Sequence, residues 1–177
     1  QYMYDFKSVH VGKDLYRAKS HEEDIKVINE MTKEEFPISL KAYGDGPLQL
    51  STDKKFQMFP RLEREGNEID GGDNLKAIFE DPAFAEYDNI NVLPLIYDEK
   101  GKRCNIMVFD YALARKRTTR IVREENSRGR RHPVYRFYDK DDAYICEVRY
   151  GDATANALQR GLWTHTKNRS EEHTSEL

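Results

Sequence analysis

The sequence predicts an α+β or α/β domain in which helices flank a central mixed β-sheet. Several short runs alternate polar and apolar residues, as half-buried strands do, whereas others repeat apolar residues every three or four positions, as helices do. Turn-forming residues separate these runs into strand pairs interleaved with helices. That order favours a mixed fold over an all-helical or an all-β fold.

The first strand pair is predicted at residues 24–28 and 36–43. Both segments alternate polar and apolar residues, and a polar turn separates them. Because successive side chains of a strand point to opposite faces, Ser39 and Lys41 share one face. If the two strands form a hairpin, Asp24 and Lys41 point into the same cleft.

The other elements follow in chain order. Alternating runs around turns predict hairpins, and apolar residues spaced three and four apart predict helices. They are a short run at 48–52 that adds a strand or opens a helix, a helix at 73–87, a hairpin of 90–97 with 104–109, a helix at 110–125, a hairpin of 134–138 with 144–150, and a helix at 153–165.

The composition predicts a charge-covered protein with a sizeable core. The chain has 177 residues, of which 34% are charged, and its net charge is −3. No apolar run is long enough to span a membrane. Cys104 and Cys146 lie in apolar runs without CxxC spacing, so we expect two reduced, buried thiols and a cytoplasmic protein.

The last nine residues, Arg169 to Leu177, read as the translation of a sequencing-library adapter. We therefore expect one natural domain at 1–168, truncated at its carboxyl end, and a non-native tail at 169–177. The chain opens at Gln1 without an initiator methionine, which leaves truncation of the amino end open as well. The tail carries one Arg and three Glu, so the other 168 residues have a net charge of −1.

Arginines crowd the segment from 115 to 131, where the local sequence sets only Glu124 and Glu125 against them. Guanidinium groups match phosphate oxygens two at a time, so such a segment is typical of nucleic-acid binding. A solvated helix face followed by a loop is the structural alternative. The candidate DNA contacts in this segment are Arg115, Arg117, Arg120, Arg130 and Arg131.

Asp24 and Lys41, seventeen positions apart on neighbouring strands, supply two parts of a phosphodiesterase site. Hydrolysis of a phosphodiester uses a divalent metal to neutralise charge and activate water, and a cation to orient the water. This segment resembles the PD-(D/E)xK nuclease superfamily, particularly type II restriction endonucleases, in which an acid begins one strand and (D/E)xK lies on the next. The tripeptide here is Ser39-Leu40-Lys41. The segments GDGPLQLSTD and ATANALQRGLWTHT also look like restriction-enzyme sequence.

The resemblance implies a restriction-endonuclease-like fold and Mg²⁺-dependent cleavage of double-stranded DNA by a homodimer. Asp24, Ser39 and Lys41 would form the catalytic site, with Asp24 holding Mg²⁺ and Lys41 orienting water. Ser39 departs from the motif, because serine is a poor magnesium ligand where the motif usually has an acid. A second acid is therefore required. The candidates for it are Glu22, on the same strand face as Asp24, and Glu63 or Glu65.

A rival register takes Asp24-Ile25-Lys26 as the (D/E)xK tripeptide and Asp14 as the first acid. We prefer the first register because Lys41 lies in the more apolar strand, where a charged side chain is unusual and so favours a functional role. Both motifs have a structural alternative. Asp24 and Lys26 can form the exposed face of an edge strand, and Lys41 can reach solvent along its aliphatic stem.

The predicted carboxyl-terminal helix presents Asn156, Gln159, Arg160 and Trp163 on one side. Amides pair with adenine and arginine pairs with guanine, so Gln159 and Arg160 are candidate DNA contacts, as is Gln49 earlier in the chain. The structural alternative buries Trp163 against the sheet and leaves the amides in solvent.

Two other function classes stay open. One is a DNA-binding module without chemistry, which would use the arginine segment but would not need Asp24 near Lys41. The other is a protein-interaction module whose arginines pair with acids such as those of residues 63–88. Salt dependence separates the two, because phosphate contacts make affinity fall steeply with salt.

Overall fold

The computed structural model describes residues 6–10, 25–43, 46–87, 91–98, 100–101, 103–125, 132–156, 159–165 and 171–176. The chain divides into two compact units. Unit 1 comprises Gln1–Asp45, Asn89–Ala112 and Ser170–Leu177, and unit 2 comprises Gly46–Asp88 and Leu113–Arg169. Each unit contains a six-stranded sheet.

The elements of unit 1 are strands β1 Phe6–His10, β2 Ile25–Asn29, β3 Glu35–Tyr43, β6 Asn91–Asp98, β7 Arg103–Asp110 and β12 Glu171–Glu176. Those of unit 2 are β4 Pro47–Ser51, α1 Met58–Glu65, β5 Glu68–Asp70, α2 Gly72–Glu80, α3 Pro82–Ala85, β8 Arg120–Glu124, β9 Val134–Tyr138, β10 Tyr144–Arg149 and β11 Gly161–His165. Helix α4, Tyr111–Arg117, begins in unit 1 and ends in unit 2. The protein therefore belongs to the mixed α+β class, as predicted.

The sheet of unit 1 is mixed, with strand order β1-β2-β3-β6-β7-β12. Strands β3 and β6 run parallel, and every other neighbouring pair runs antiparallel. The predicted hairpins of β2 with β3 and of β6 with β7 are confirmed. A mixed sheet was predicted, but as the single central sheet of the chain, and a second sheet lies in unit 2.

One face of the unit 1 sheet is apolar and buried around Ser39. Ser39 lies opposite Val92 in the register, and Val92 lies opposite Phe109; these three residues are at most 3% exposed. The other face exposes Leu40 (44%) and Leu95 (43%). The strand alternation predicted for β3 is confirmed, and the face that carries Ser39 is the buried one.

The sheet of unit 2 is antiparallel throughout, in the order β4-β11-β10-β9-β8-β5. Helices α1 and α2 cover one of its faces with aromatic contacts, since the ring of Phe59 lies 5.1 Å from that of Tyr135 and the ring of Phe79 lies 6.1 Å from that of Phe137. The predicted pairing of β9 with β10 is confirmed. Helix α1 and strands β1, β5 and β8 were not predicted from the sequence.

The helix predicted at 110–125 is wrong beyond Arg117, where α4 ends. Strand β8 follows and pairs with β9. Thr, Ile and Val fill four of the five positions from 118 to 122. These β-branched side chains lose rotamer freedom in a helix and pack well in a sheet, so the chain leaves the helix there.

The helix predicted at 153–165 is wrong. The chain turns after Asp152, whose carboxylate accepts a hydrogen bond from the backbone N–H of Thr154 (2.8 Å) and so competes with helix formation. Strand β11 then begins at Gly161, which has a φ of 111°. A Cβ there would lie 2.2 Å from the carbonyl oxygen of Ser51, so only glycine fits.

The helix predicted at 73–87 is divided into α2 and α3. The break falls at Asp81, whose carboxylate accepts from the backbone N–H of Ala83 (2.9 Å), and Pro82 begins α3. Proline removes a donor and fits the first helical turn, so it ends one helix and starts the next. In the described ranges, no helix has both the length and the apolar character that crossing a membrane requires.

Candidate functional site

The predicted catalytic strands are β2 and β3. Their register sets Ile25 opposite Ile38 and Val27 opposite Phe36. Asp24, Glu22 and Asp14 lie outside the described residues. The described part of the site therefore consists of the hairpin itself and the β3 residues that follow Ile38.

Ser39 and Lys41 point to the same, buried face of the unit 1 sheet. Ser39 is 3% exposed and Lys41 is half-buried. The register sets Lys41 opposite Pro94, which is buried on β6. The electrostatic field of an ammonium group is strong where its side chain passes along an apolar surface, because little water there screens the charge. This arrangement can present a positive charge to an anion at the end of the hairpin.

The lysine of the rival register is engaged across the same hairpin. The Nζ atom of Lys26 donates to Oε2 of Glu35 at 2.8 Å, with 30% and 53% of the two side chains exposed. An exposed pair of this kind contributes little to stability. Glu35 nevertheless gives Lys26 a cross-strand carboxylate partner.

The candidates for the second acid differ in their surroundings. Glu65 accepts from Nη1 of Arg61 at 2.6 Å within α1, and Glu63 is exposed on the same helix. Both belong to unit 2, whereas Lys41 belongs to unit 1. Among the residues that the structure describes, no three His, Cys, Asp or Glu side chains lie close enough together to hold a metal ion.

Two of the predicted DNA-contacting arginines of unit 2 already have carboxylate partners. Arg117 Nη2 donates to Oδ2 of Asp139 at 3.0 Å. Arg120 donates from Nη1 to Glu68 (3.3 Å) and from Nη2 to Asp142 (2.8 Å), and these hydrogen bonds raise its pKa. These acids come from β5 and from the turn between β9 and β10, so local sequence did not reveal them.

The remaining arginines of that segment fall into two groups. The guanidinium of Arg115 lies 5.3 Å from the ring centre of Phe79, a cation–π contact that places it over the helical layer. Arg130 and Arg131 lie outside the described residues. The segment does not form one row of solvent-facing cations over the part that is described.

A ladder of charges that the sequence analysis missed crosses β8, β9 and β10. Glu147, 3% exposed, accepts from Nε of Arg149 (2.7 Å) and from Nε of Arg136 (3.3 Å). Arg136 Nη1 also donates to Glu124 at 2.6 Å, and the Tyr138 hydroxyl donates to the same carboxylate. We call these five residues the charge ladder.

The charge ladder lies on the sheet face opposite the helices. The guanidinium of Arg149 lies 4.3 Å from the ring centre of Trp163, which is 5% exposed on β11. Glu147 and Arg149, two positions apart on β10, were the signal for this face. Arg136 on β9 is neutralised by Glu124 on β8 and Glu147 on β10, so the ladder ties these three strands together, whereas Arg149 pairs with Glu147 of its own strand.

Gln49 and Arg160 are in contact in unit 2, but the side chain of Gln49 contacts the backbone of Arg160 rather than its guanidinium. The amide Nε2 of Gln49 donates to the carbonyl oxygen of Arg160 (3.3 Å) and to Oγ1 of Thr52 (3.0 Å). The guanidinium of Arg160 lies 3.9 Å from the ring centre of Phe56, and its Nη1 donates to the carbonyl oxygen of Asp152 at 3.1 Å. Both side chains therefore have structural contacts.

The predicted base-reading α-helix face does not form over the described residues, because 153–156 form a turn and Gly161–His165 is strand β11. Gln159 is exposed, and Trp163 is buried, as the structural alternative predicted. Asp152 supports the turn before β11, and its hydrogen bonds from the side chain and backbone of Thr154 and from the Tyr150 hydroxyl lower its pKa to about 2.

Cys146 is free and buried, as predicted. Burial raises the pKa of its thiol, so the reactive thiolate is disfavoured. Comparisons with protein-family models, with curated proteins and with solved structures found no match for this chain.

Proposed function

We propose that the chain is a magnesium-dependent endodeoxyribonuclease of restriction type. The proposal rests on the resemblance of Asp24 and Ser39-Leu40-Lys41 to the PD-(D/E)xK motif, and it is supported by the mixed sheet and by the hairpin of β2 with β3. A restriction-endonuclease-like fold, a double-stranded DNA substrate, a homodimer and a cytoplasmic location belong to the same proposal.

The observation that carries the proposal is the pairing of Ile25 with Ile38. Asp24 directly precedes Ile25, and Ser39 directly follows Ile38, so the proposal requires the antiparallel pairing to continue by one residue. Directly opposite side chains are then about 5 Å apart at Cβ, and diagonal neighbours about 7–8 Å. An aspartate and Lys41 at such a spacing can act on the two sides of one water molecule.

Magnesium would lower the pKa of a bound water and neutralise the charge of the phosphate. The described residues alone do not fit a magnesium site, because Ser39 supplies a hydroxyl where the motif has an acid. The proposal therefore assigns the metal to Asp24 and Glu22. The role of Lys41 is to orient the attacking water through its ammonium group, from a side chain held on a buried sheet face.

The test is cleavage of supercoiled plasmid DNA by the purified chain with and without Mg²⁺. We expect Lys41→Ala to reduce the cleavage rate by about 100-fold or more, as loss of a charge that stabilises the transition state does. Lys26→Ala tests the rival register in the same assay. Lys140→Ala, a surface lysine paired with Asp141, serves as the matched control.

The outcomes separate the registers. Loss of activity in Lys41→Ala alone supports the preferred register, and loss in Lys26→Ala alone supports the rival. Absence of any magnesium-dependent cleavage by the unsubstituted chain would overturn the nuclease proposal. The two aspartates are tested likewise, because Asp24→Asn must inactivate under either register whereas Asp14→Asn must do so only under the rival.

A second candidate function, a non-catalytic interaction module, is favoured by one observation. Arg117 and Arg120 are paired with carboxylates of their own unit, so their charges are already neutralised, as this candidate expects. This candidate predicts DNA binding that is absent or insensitive to salt. A steep fall in DNA affinity between about 50 and 200 mM salt would contradict it.

A further inference from the structure

The face of the unit 1 sheet that carries Ser39 also carries a second lysine. Side chains at every second position of a strand share a face, so Pro37 lies on the same face as Ser39 and Lys41. The register sets Lys26 of β2 opposite Pro37. Directly opposite residues of paired strands point to the same side, which places Lys26 on that face as well. The lysines of the two motif registers therefore share one surface.

The carboxylate that holds Lys26 belongs to the same face. Glu35 lies two residues before Pro37 on β3, so Glu35 and Lys26 are diagonal neighbours. Such neighbours are about 7–8 Å apart at Cα, within reach of long side chains. The Nζ atom of Lys26 donates to Oε2 of Glu35 at 2.8 Å. Ser39 is the diagonal neighbour on the other side, so the ion pair draws the ammonium group away from Ser39.

This ion pair is weak enough for a substitution to change its balance. The side chains of Lys26 and Glu35 are 30% and 53% exposed, so water screens their attraction. A phosphate oxygen accepts from an ammonium group by the same charge-assisted hydrogen bond that a carboxylate makes. A DNA backbone on this face would therefore compete with Glu35 for the same ammonium group.

We propose that Glu35 restrains DNA binding on the Ser39 face by withholding Lys26 from the DNA backbone. With the carboxylate in place, Lys41 is the lysine of this face that meets DNA. Without it, Lys26 becomes a second phosphate contact. Lys26 is then a binding residue and not the lysine that orients water. This inference rests on the double-stranded DNA substrate of the proposed function, but it does not depend on cleavage.

The test is DNA binding in the absence of Mg²⁺, so that cleavage does not alter the substrate. Glu35→Gln removes the competing charge and keeps the length of the side chain. Its affinity for a labelled duplex should be about threefold to fivefold higher, as expected for release of an exposed ion pair. The slope of log affinity against log salt, measured between about 50 and 200 mM, should steepen by about one because one more phosphate contact forms.

Two further variants assign the gain to Lys26. Glu34→Gln is the matched control, because it changes the net charge by the same amount at the neighbouring exposed residue. The Glu34 carboxylate accepts from the Thr32 hydroxyl at 2.9 Å, and its removal should change affinity far less because salt screens a general surface charge. In the double variant Lys26→Met with Glu35→Gln, affinity should return to about that of the unsubstituted chain. Circular dichroism verifies the folding of each variant.

Several outcomes would overturn the inference. One is an unchanged affinity in Glu35→Gln, or an equal gain in Glu34→Gln. A second is a gain that persists when Lys26 is also replaced. A third is a loss of about 100-fold in cleavage rate at saturating DNA in Lys26→Ala, since Lys26 would then orient water.

The inference and the proposed function can fail separately. Salt-dependent binding that follows the Glu35 and Lys26 variants as expected, without any cleavage in Mg²⁺, would contradict only the nuclease activity. Absence of DNA binding in both the unsubstituted chain and Glu35→Gln would overturn the inference and would also remove DNA from the proposed function.

Discussion

Lys41 on β3 and Arg120 on β8 are both strand cations that a nuclease would use, but their surroundings differ. Lys41 stands opposite Pro94 on a buried apolar face, and the described residues offer it no ion pair. Arg120 is held by Glu68 on one side and Asp142 on the other. A cation in the sequence is available to a ligand only where the fold brings no acid to it.

The same contrast appears within unit 2 when burial is considered. The pair of Arg120 with Asp142 is exposed, with 35% and 76% of the side chains in solvent, so it contributes little. The pair of Arg149 with Glu147 is shielded, with 13% and 4% exposed. Removing one member of a shielded pair leaves a charge without water or partner, and this should cost much more.

The largest expected effect is therefore in the charge ladder. Glu147→Ala should lower the free energy of unfolding by about 3 kcal/mol, because two arginines lose their shared acceptor. Glu147→Gln should cost less, since an amide oxygen still accepts one hydrogen bond. Glu125→Ala, which removes an exposed partner of Arg123, is the control and should cost under about 0.5 kcal/mol. Urea unfolding gives all three values.

Equal losses of unfolding free energy in Glu147→Ala and Glu125→Ala would contradict the contrast between shielded and exposed ion pairs. They would mean that shielding by the sheet does not distinguish the two pairs. A loss in Glu147→Ala that vanishes when Arg136 and Arg149 are also replaced by Met would instead sharpen it. Such a result would assign the cost to the arginines left without an acceptor.

The next largest effect concerns Asp139, 6% exposed in the turn between β9 and β10. Its Oδ1 accepts from the backbone N–H groups of Asp141 and Ala143, both at 2.9 Å, and its Oδ2 accepts from Arg117. Asp139→Ala should therefore cost about 1–2 kcal/mol at neutral pH, because two backbone N–H groups and Arg117 lose their shared acceptor. Lys140→Ala in the same turn is the control and should be neutral.

The acid dependence of stability follows from the same turn and from Asp152. The hydrogen bond from the backbone of Ala143 is the largest cause that lowers the pKa of Asp139, and the pKa of Asp152 is lowered to about 2. A group whose folded-state pKa is depressed stabilises the protein above its unfolded pKa, which is about 3.9 for Asp. This stability is lost as pH falls from about 4 through the folded-state values.

In the double variant Asp139→Asn with Asp152→Asn, the free energy of unfolding should fall less steeply as the pH decreases below about 4. Unfolding free energies measured between pH 2 and 6 test this expectation. The control is Asp73→Asn, an exposed aspartate of α2. If the double variant loses stability with falling pH as steeply as the unsubstituted chain, other carboxylates carry the acid dependence.

A smaller effect is expected at Arg160. Its contact with Phe56 and its hydrogen bond to the Asp152 carbonyl should make Arg160→Ala less stable by about 1 kcal/mol. DNA affinity should not change, because this guanidinium is engaged within the unit. Gln159→Ala, at an exposed position, should change neither property. A selective loss of binding to one DNA sequence in Arg160→Ala would restore the base-reading hypothesis.

The smallest expected effect tests whether its ion pairs prevent Arg120 from binding DNA phosphates. Glu68→Gln with Asp142→Asn removes its two partners, and DNA affinity should then rise by about three- to fivefold, with the salt slope steeper by about one. The matched control is Glu63→Gln with Asp73→Asn, two exposed acids of unit 2, which changes the net charge by the same amount. Equal gains in both variants would show a general charge effect and leave Arg120 without a special role.

The sequence predicted the hairpins because each is local. The strands of β2 with β3, β6 with β7 and β9 with β10 are joined by short turns, and their alternation is visible over a few residues. The alternation of β3 also predicted that Ser39 and Lys41 share a face. Their common site with Asp24 stays a prediction, because Asp24 lies outside the described residues.

The wrong predictions have the opposite cause, because the structure at those positions depends on contacts between segments that are distant in the sequence. Residues 153–165 have helical spacing, yet Gly161 lies against Ser51 on β4, and that approach requires a strand. Arginines at 117 and 120 appear unopposed in the local sequence, yet Glu68 and Asp139 reach them from other elements. Neither partner can be found from periodicity.

The sequence by itself determined the α+β class, the three hairpins, the burial of Cys146 and the identity of the residues that resemble a nuclease motif. The tertiary structure alone decided which face of β3 is buried, which arginines are neutralised and which strand covers the edge of β7. The physical reason is range. Backbone propensity acts over a few residues, whereas burial and charge pairing depend on whichever elements the completed sheets bring together.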